Sequence, residues 1–127
     1  MKTLIIFLAL TFSVMFSSSS YAGWTKVGES VSGNTFYVDF ERIRKHDGYV
    51  YWWELIDFLK PTSGMLSGEI YKQGDCKLFR LKRLSVSFHN EPMGGGTGET
   101  VNEPDKEWRY PSPNSIKEVI LKQVCNR

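Results

Sequence analysis

Residues Tyr49 to Leu59 read YVYWWELIDFL, the most apolar run downstream of the N-terminal segment, and they constrain the fold most. The run is rich in aromatic and β-branched residues and contains neither Gly nor Pro. Such side chains suit a pleated surface better than a helix, so it predicts a long strand. Asp47-Gly48 precedes it and Lys60-Pro61 closes it. Side chains alternate between the faces of a strand. One face carries Val50, Trp52, Ile56 and Phe58 around Glu54. The other carries Tyr49, Tyr51, Trp53, Leu55 and Leu59 around Asp57. Both are largely apolar, which predicts a central strand with something packed on each side.

The first 22 of the 127 residues stand apart. Lys2 supplies a positive start, Leu4 to Phe16 an apolar stretch, and Ser20-Tyr21-Ala22 a small-x-small cleavage site before Gly23. This is the pattern of a secretory signal peptide. The apolar stretch is short against the roughly 20 residues of a bilayer span. The reading is therefore a cleaved signal over 1–22 and a single domain over 23–127, with no membrane span after cleavage. Lys2 is the only charged residue in that segment, so removing it takes the net charge from +2 to +1. That balance does not suit nucleic-acid binding.

Cys76 and Cys125 are the only cysteines. An even count in an exported chain predicts one disulfide. It closes a loop of 125 − 76 = 49 residues, for which chain entropy gives about 4 kcal/mol. Zinc is a poor alternative, because two Cys with His46 and His89 have no ligand spacing.

Taken in order, Trp24-Thr25-Lys26-Val27 and Thr35 to Asp39 predict a hairpin. Phe40 to Arg44 fits one helical turn capped by Asp39. His46-Asp47-Gly48 is a turn, Ser67 to Lys72 a strand, and Gln73-Gly74-Asp75 a hairpin signal. Cys76 to His89 is a long strand whose apolar phase slips at Lys82-Arg83, which predicts a β-bulge there. Asn90 to Asp105 holds Gly94-Gly95-Gly96 and two prolines with little that is apolar, and reads as a mobile loop. Glu107 to Tyr110 suggests a short edge strand. A helix follows, capped at Ser112 ahead of Pro113, with Ser115-x-x-Glu118 as a later capping box. Ile116, Val119, Ile120 and Val124 share one face with Leu121 at its border, and Lys117, Glu118 and Lys122 face water. A Cys76–Cys125 bridge would staple this helix onto the sheet.

Several features together resemble the surface-adhesin protein E family of small exported bacterial proteins. They are the export signal, Trp24 to Gly28, Phe36 to Asp39 with Ile43-Arg44, and the aromatic strand ending Asp57 to Pro61. Asp75-Cys76, Glu107 to Tyr110 and Leu121 to Cys125 complete the likeness. The resemblance implies an α+β fold. In it a twisted antiparallel sheet of about six strands carries a C-terminal helix on one face, tied by a disulfide. It also implies binding to host matrix components such as vitronectin and laminin. In the name-giving member a basic binding segment lies just ahead of the first Cys. The corresponding stretch here, Thr62 to Glu69, has no Lys or Arg.

No catalytic constellation is evident. Gly94 to Gly98 lacks the Lys and hydroxyl of a phosphate loop, since Glu99-Thr100 follows. Neither His has a nucleophile beside it, and Glu54 and Asp57 point to opposite faces of one strand. The chain reads as a non-enzymatic binding module without metal or cofactor. Lys72, Lys77, Arg80, Lys82 and Arg83 flank one hairpin as a candidate patch for a host extracellular-matrix protein or an acidic glycan. Tyr49, Tyr51 and Trp53 form a candidate aromatic face if the helix covers only the other, serving as a binding surface or homodimer interface. The leading expectation is an exported, adhesin-like module contacting a macromolecule, at the cell surface or in the periplasm. The alternative is a periplasmic envelope protein that binds a small ligand or glycan on the aromatic face.

Overall fold

The computed structural model describes residues 23–127, and the signal-peptide reading lies outside them. The strands are β1 (Trp24–Glu29), β2 (Thr35–Asp39), β3 (Arg44–His46), β4 (Tyr49–Thr62), β5 (Met65–Asp75), β6 (Arg80–His89) and β7 (Gly98–Val101). One helix, α1 (Ile116–Cys125), follows them. All strand pairs are antiparallel, in the order β1-β2-β4-β5-β6-β7. β3 joins the edge of β4 that β2 leaves free, pairing with Tyr49 to Tyr51 while β2 pairs with Glu54 to Asp57.

The aromatic run is the central strand, as its composition predicts. It runs three residues further, through Pro61 to Thr62. Its ladder with β5 is interrupted between Asp57 and Thr62, so Pro61 falls where no regular pairing asks for an amide. Two tight turns frame the strand. Asp47-Gly48 has φ of 51° and 82°, and Ser63-Gly64 has φ of 51° and 80°. Consecutive positive φ values twist a two-residue hairpin turn in the sense that strands need. The first of these turns makes Arg44–His46 a strand where only a turn was expected.

The β5–β6 connection also departs from the sequence reading. Gln73-Gly74-Asp75 stays in β5, and the turn lies at 76–79. The Asp75 carboxylate accepts from the amides of Lys77 and Leu78, both at 3.1 Å, and so closes the turn itself. Gly74 serves packing instead. A Cβ there would stand 2.8 Å from Trp52 and 3.0 Å from both Leu121 and Val50. The predicted bulge is present one residue late. Tyr71 pairs with Ser85 and Lys72 with Arg83, which leaves Leu84 extra.

The Asp39 cap is borne out, its side chain accepting from Glu41 N above a 3-10 turn over Phe40–Arg42. Segment 90–105 is anchored rather than a loose loop. Its 3-10 turn, Pro92–Gly94, donates Met93 N to Asp57 Oδ1 at 2.9 Å and Gly94 N to Ser67 Oγ at 2.8 Å. The chain then adds β7 to the sheet edge. All four β7 residues are exposed, so no alternation in sequence could announce it. Glu107–Tyr110 contributes one bridge, Arg109 to Leu81.

Helix α1 begins at the later cap. Ser115 accepts from Glu118 N, and Glu118 accepts from Asn114 N. Ile120, Leu121 and Val124 are buried against Val38, Val50, Trp52 and Leu81, so Leu121 stands at the centre of the packed face, not at its border. The Cys76–Cys125 disulfide forms, with Cα atoms 5.7 Å apart, and ties the last residue of α1 to the β5–β6 turn. The fold is therefore an α+β open sheet with one disulfide-tied helix on one face. Among the described residues no helix is long and apolar enough to cross a membrane.

Candidate functional site

Residues directly opposite in an antiparallel ladder point to the same face. The pairings therefore sort the central strands into a helix-covered face and an open face. Val50, Trp52 and Glu54 face α1 along with their partners Gly74, Lys72 and Ile70. Tyr49, Tyr51, Trp53 and Leu55 face the other way, beside Gln73 and Tyr71 of β5. Beyond those partners, Lys82 and Arg80 of β6 pair with Gln73 and Asp75 and lie on the same open face.

On that face the rings form two contacting groups, one of Trp53, Tyr71 and Tyr51 and one of Tyr49 and Trp108. Trp53 lies 4.7 Å from Tyr71, and Tyr71 stacks with Tyr51 at 6.1 Å between centroids. Tyr49 stacks with Trp108 at 5.6 Å. Cations sit on the rings. Arg42 is over Trp24 and Trp53 at 5.5 and 5.6 Å, while Arg80 and Lys82 are over Trp108 at 4.4 and 4.7 Å. Each of these rings is only half-buried, because no helix covers them. Towards Leu55, which is fully buried on this face, cover comes from the Pro92–Gly94 turn, whose amides are held by Asp57 and Ser67.

The charges on this face fall into two groups. Arg42 pairs with buried Asp39 at 2.6 Å, and Arg80 pairs with buried Asp75 at 3.0 Å. Burial acts to raise the Asp75 carboxyl, but the Leu78 amide, Arg80 and the Lys77 amide outweigh it and hold it below the usual carboxylate range. Lys82 and Arg44, the latter opposite Tyr51, make no ion pair among the described residues. They are the uncommitted cations of the open face.

The structure divides the five basic residues of the sequence patch. Lys82 and Arg80 join the aromatic face formed by Tyr49, Tyr51 and Trp53. Lys77 is exposed in the turn beside Cys76. Lys72 is a correction: it is 7% exposed on the helix-covered face, 2.7 Å from Glu54, and belongs to no surface patch. Arg83, opposite Lys72, lies on that face too, 3.7 Å from Asp105. Arg80, Lys82 and Arg83 all precede the bulge at Leu84, so simple alternation sets Arg83 on the face opposite Arg80 and Lys82. Sequence reasoning did not place Tyr71, Arg42 and Arg44 in the site, and read Trp108 as part of a short edge strand. The ladder partners of Trp53 and Tyr51 were the missing signal.

Comparison with solved structures finds the same fold in protein E of Haemophilus influenzae. Its crystal form II is 17% identical with a TM-score of 0.66, covering 86% of this chain and 91% of that one. Protein E from non-typeable Haemophilus influenzae is 17% identical with a TM-score of 0.66, covering 86% and 79% respectively. At that identity the likeness speaks for the fold alone. No curated protein matches the chain. The family model for surface-adhesin protein E matches residues 24–126, nearly all that the structure describes, and the chain belongs to that family.

Proposed function

We propose that this is an exported, non-enzymatic binding module that contacts a macromolecular partner at the cell surface through the open face of its sheet. One observation carries the reading. Two ring groups, Trp53 with Tyr71 and Tyr51, and Tyr49 with Trp108, lie on the face opposite α1, beside Lys82 and Arg44, which make no ion pair among the described residues. Half-buried rings with nearby positive charge offer large, rigid contact area plus attraction for an acidic surface. Host extracellular-matrix protein is the partner class that family membership favours, and an acidic glycan chain attached to such a protein would meet the same rings and cations. Membership of the family supports placing the domain outside the cell.

The test uses purified protein on immobilised matrix proteins and sulfated glycans, with Lys82→Glu, Tyr51→Ala and Arg83→Glu variants. Lys82→Glu and Tyr51→Ala should each weaken binding about tenfold, the Lys82 effect shrinking at high salt. Arg83→Glu, on the opposite face, should leave it unchanged. Equal loss at Arg83 would remove the open face from consideration. Protease shaving of intact cells, with a periplasmic marker as control, tests location. Protection until the envelope is opened would favour the periplasmic reading, a module taking a small ligand or glycan on these rings.

A further inference from the structure

A cleft of about 800 Å³ opens on the helix-covered face, beyond the open-face site. Helix α1 covers the Val50–Trp52 end of that face, and the cleft lies over the part towards Ile56. Phe36, Ile56 and Ile70 form its apolar floor, with Phe36 and Ile56 directly opposite in the ladder and Ile116 flanking them. The volume falls within the few hundred to roughly 1,000 Å³ of small-molecule sites.

The walls of the cleft are cationic. Lys72 and Arg83 are opposite one another two positions along the strands from Ile70, and Arg109 and Lys117 complete the lining. Two carboxylates answer these four cations: Glu54 takes Lys72 at 2.7 Å, and Asp105 is shared by Arg109 at 3.1 Å and Arg83 at 3.7 Å. Glu29, at the rim, is taken by Lys26 at 2.9 Å. Lys117 makes no ion pair among the described residues. Burial lowers its ammonium pKa, the charges of Lys72 and Arg109 lower it further, and Glu54 and Asp105 only partly offset them. An ammonium has three donors, and Lys72 is seen giving one, to Glu54. The cleft thus joins an apolar floor to a positive wall with no anion of its own for Lys117.

We propose that this cleft binds a single-chain anionic amphiphile of the fatty-acid class. Its chain lies on Phe36, Ile56 and Ile70, and its carboxylate is held between Lys117 and Lys72. A neutral chain would leave Lys117 without an anion, and a small anion would leave the floor wet. Charge and apolar area select the ligand together.

Isothermal titration of the purified protein with sodium decanoate, below its micelle concentration, decides the matter, with 1-decanol and acetate as partial ligands. Decanoate should bind saturably at one site, decanol about tenfold more weakly, and acetate not measurably. Lys117 lines the cleft from the exposed first turn of α1, so Lys117→Glu should leave the circular dichroism spectrum unchanged while weakening decanoate about tenfold, and Lys117→Ala should fall between. Lys82→Glu, on the open face, should have no effect. Equal affinity for decanol, unchanged binding by Lys117→Glu, or a loss at Lys82→Glu would each overturn the proposal. None of these outcomes depends on whether the open face binds a macromolecule.

Discussion

Glu54 and Lys72 form an ion pair at 2.7 Å inside the helix-covered face, their side chains only 2% and 8% exposed. Trp52 Nε1 donates to the same carboxylate at 3.2 Å. Two charges taken out of water are tolerated because each satisfies the other, and removing one strands its partner. Lys72→Met should therefore cost about 3–5 kcal/mol in urea unfolding. Adding Glu54→Gln, which retains an acceptor for Trp52, should recover most of that loss. A double variant no more stable than the single one would show that the pair is not the unit that matters.

The disulfide gives a second expectation. Cys125 ends α1 and Cys76 sits in the β5–β6 turn, so the bridge ties the helix to the sheet without crossing the β4–β5 ladder. It spans 49 residues, and opening a loop of that length costs about 4 kcal/mol by chain entropy. Reduction should release the α1 amides in hydrogen exchange while the β4 and β5 amides stay protected. Simultaneous loss of protection in helix and sheet would contradict that order.

Acid should weaken the fold through two carboxylates. Burial acts to raise the Asp105 carboxyl, but the Arg83 amide and the charges of Arg109 and Arg83 outweigh it, and it lies below its ordinary 3.8. Asp75 is lowered likewise by its turn amides and Arg80. A carboxyl depressed in the folded state takes up its proton first when unfolded. Its stabilisation is complete above about pH 4 and is lost as pH falls through the lower folded value. Thermal midpoints should fall on acidification through that range, and the Asp75→Asn, Asp105→Asn double variant should show a flatter decline. An equally steep decline in the variant would place the acid sensitivity elsewhere.

What was legible in the sequence follows from burial. The run from Tyr49, the Asp39 cap, the bulge in β6, the C-terminal helix and the Cys76–Cys125 pairing all leave apolar, turn or cysteine signals, and all are present. β7 and β3 are exposed along their whole length and carry no such signal. The open face was half legible. Tyr49, Tyr51 and Trp53 share one parity, but Arg44 and Tyr71 join them only through cross-strand register, and Arg42 only through the 3-10 turn that sets it over Trp53. Lys72 looked like a surface cation because its partner Glu54 lies on another strand, and only the ladder brings them together.

His89 supplies the last prediction. It ends β6 opposite Ser67, next to the turn that Asp57 and Ser67 hold. Both of its ring nitrogens are buried and have no hydrogen-bond partner among the described residues. A buried polar group left unpaired costs about 1–3 kcal/mol. Replacing it by an apolar side chain of similar reach removes that cost and keeps the packing. His89→Leu should therefore raise stability by about 1 kcal/mol in urea unfolding, with no change in slope. Ser67→Ala, which removes the hydroxyl that accepts Gly94 N and donates to the Glu91 carbonyl, should move stability the other way. A His89→Leu protein less stable than the parent would mean that water reaches the imidazole and satisfies it, so that the ring contributes to the fold instead of opposing it.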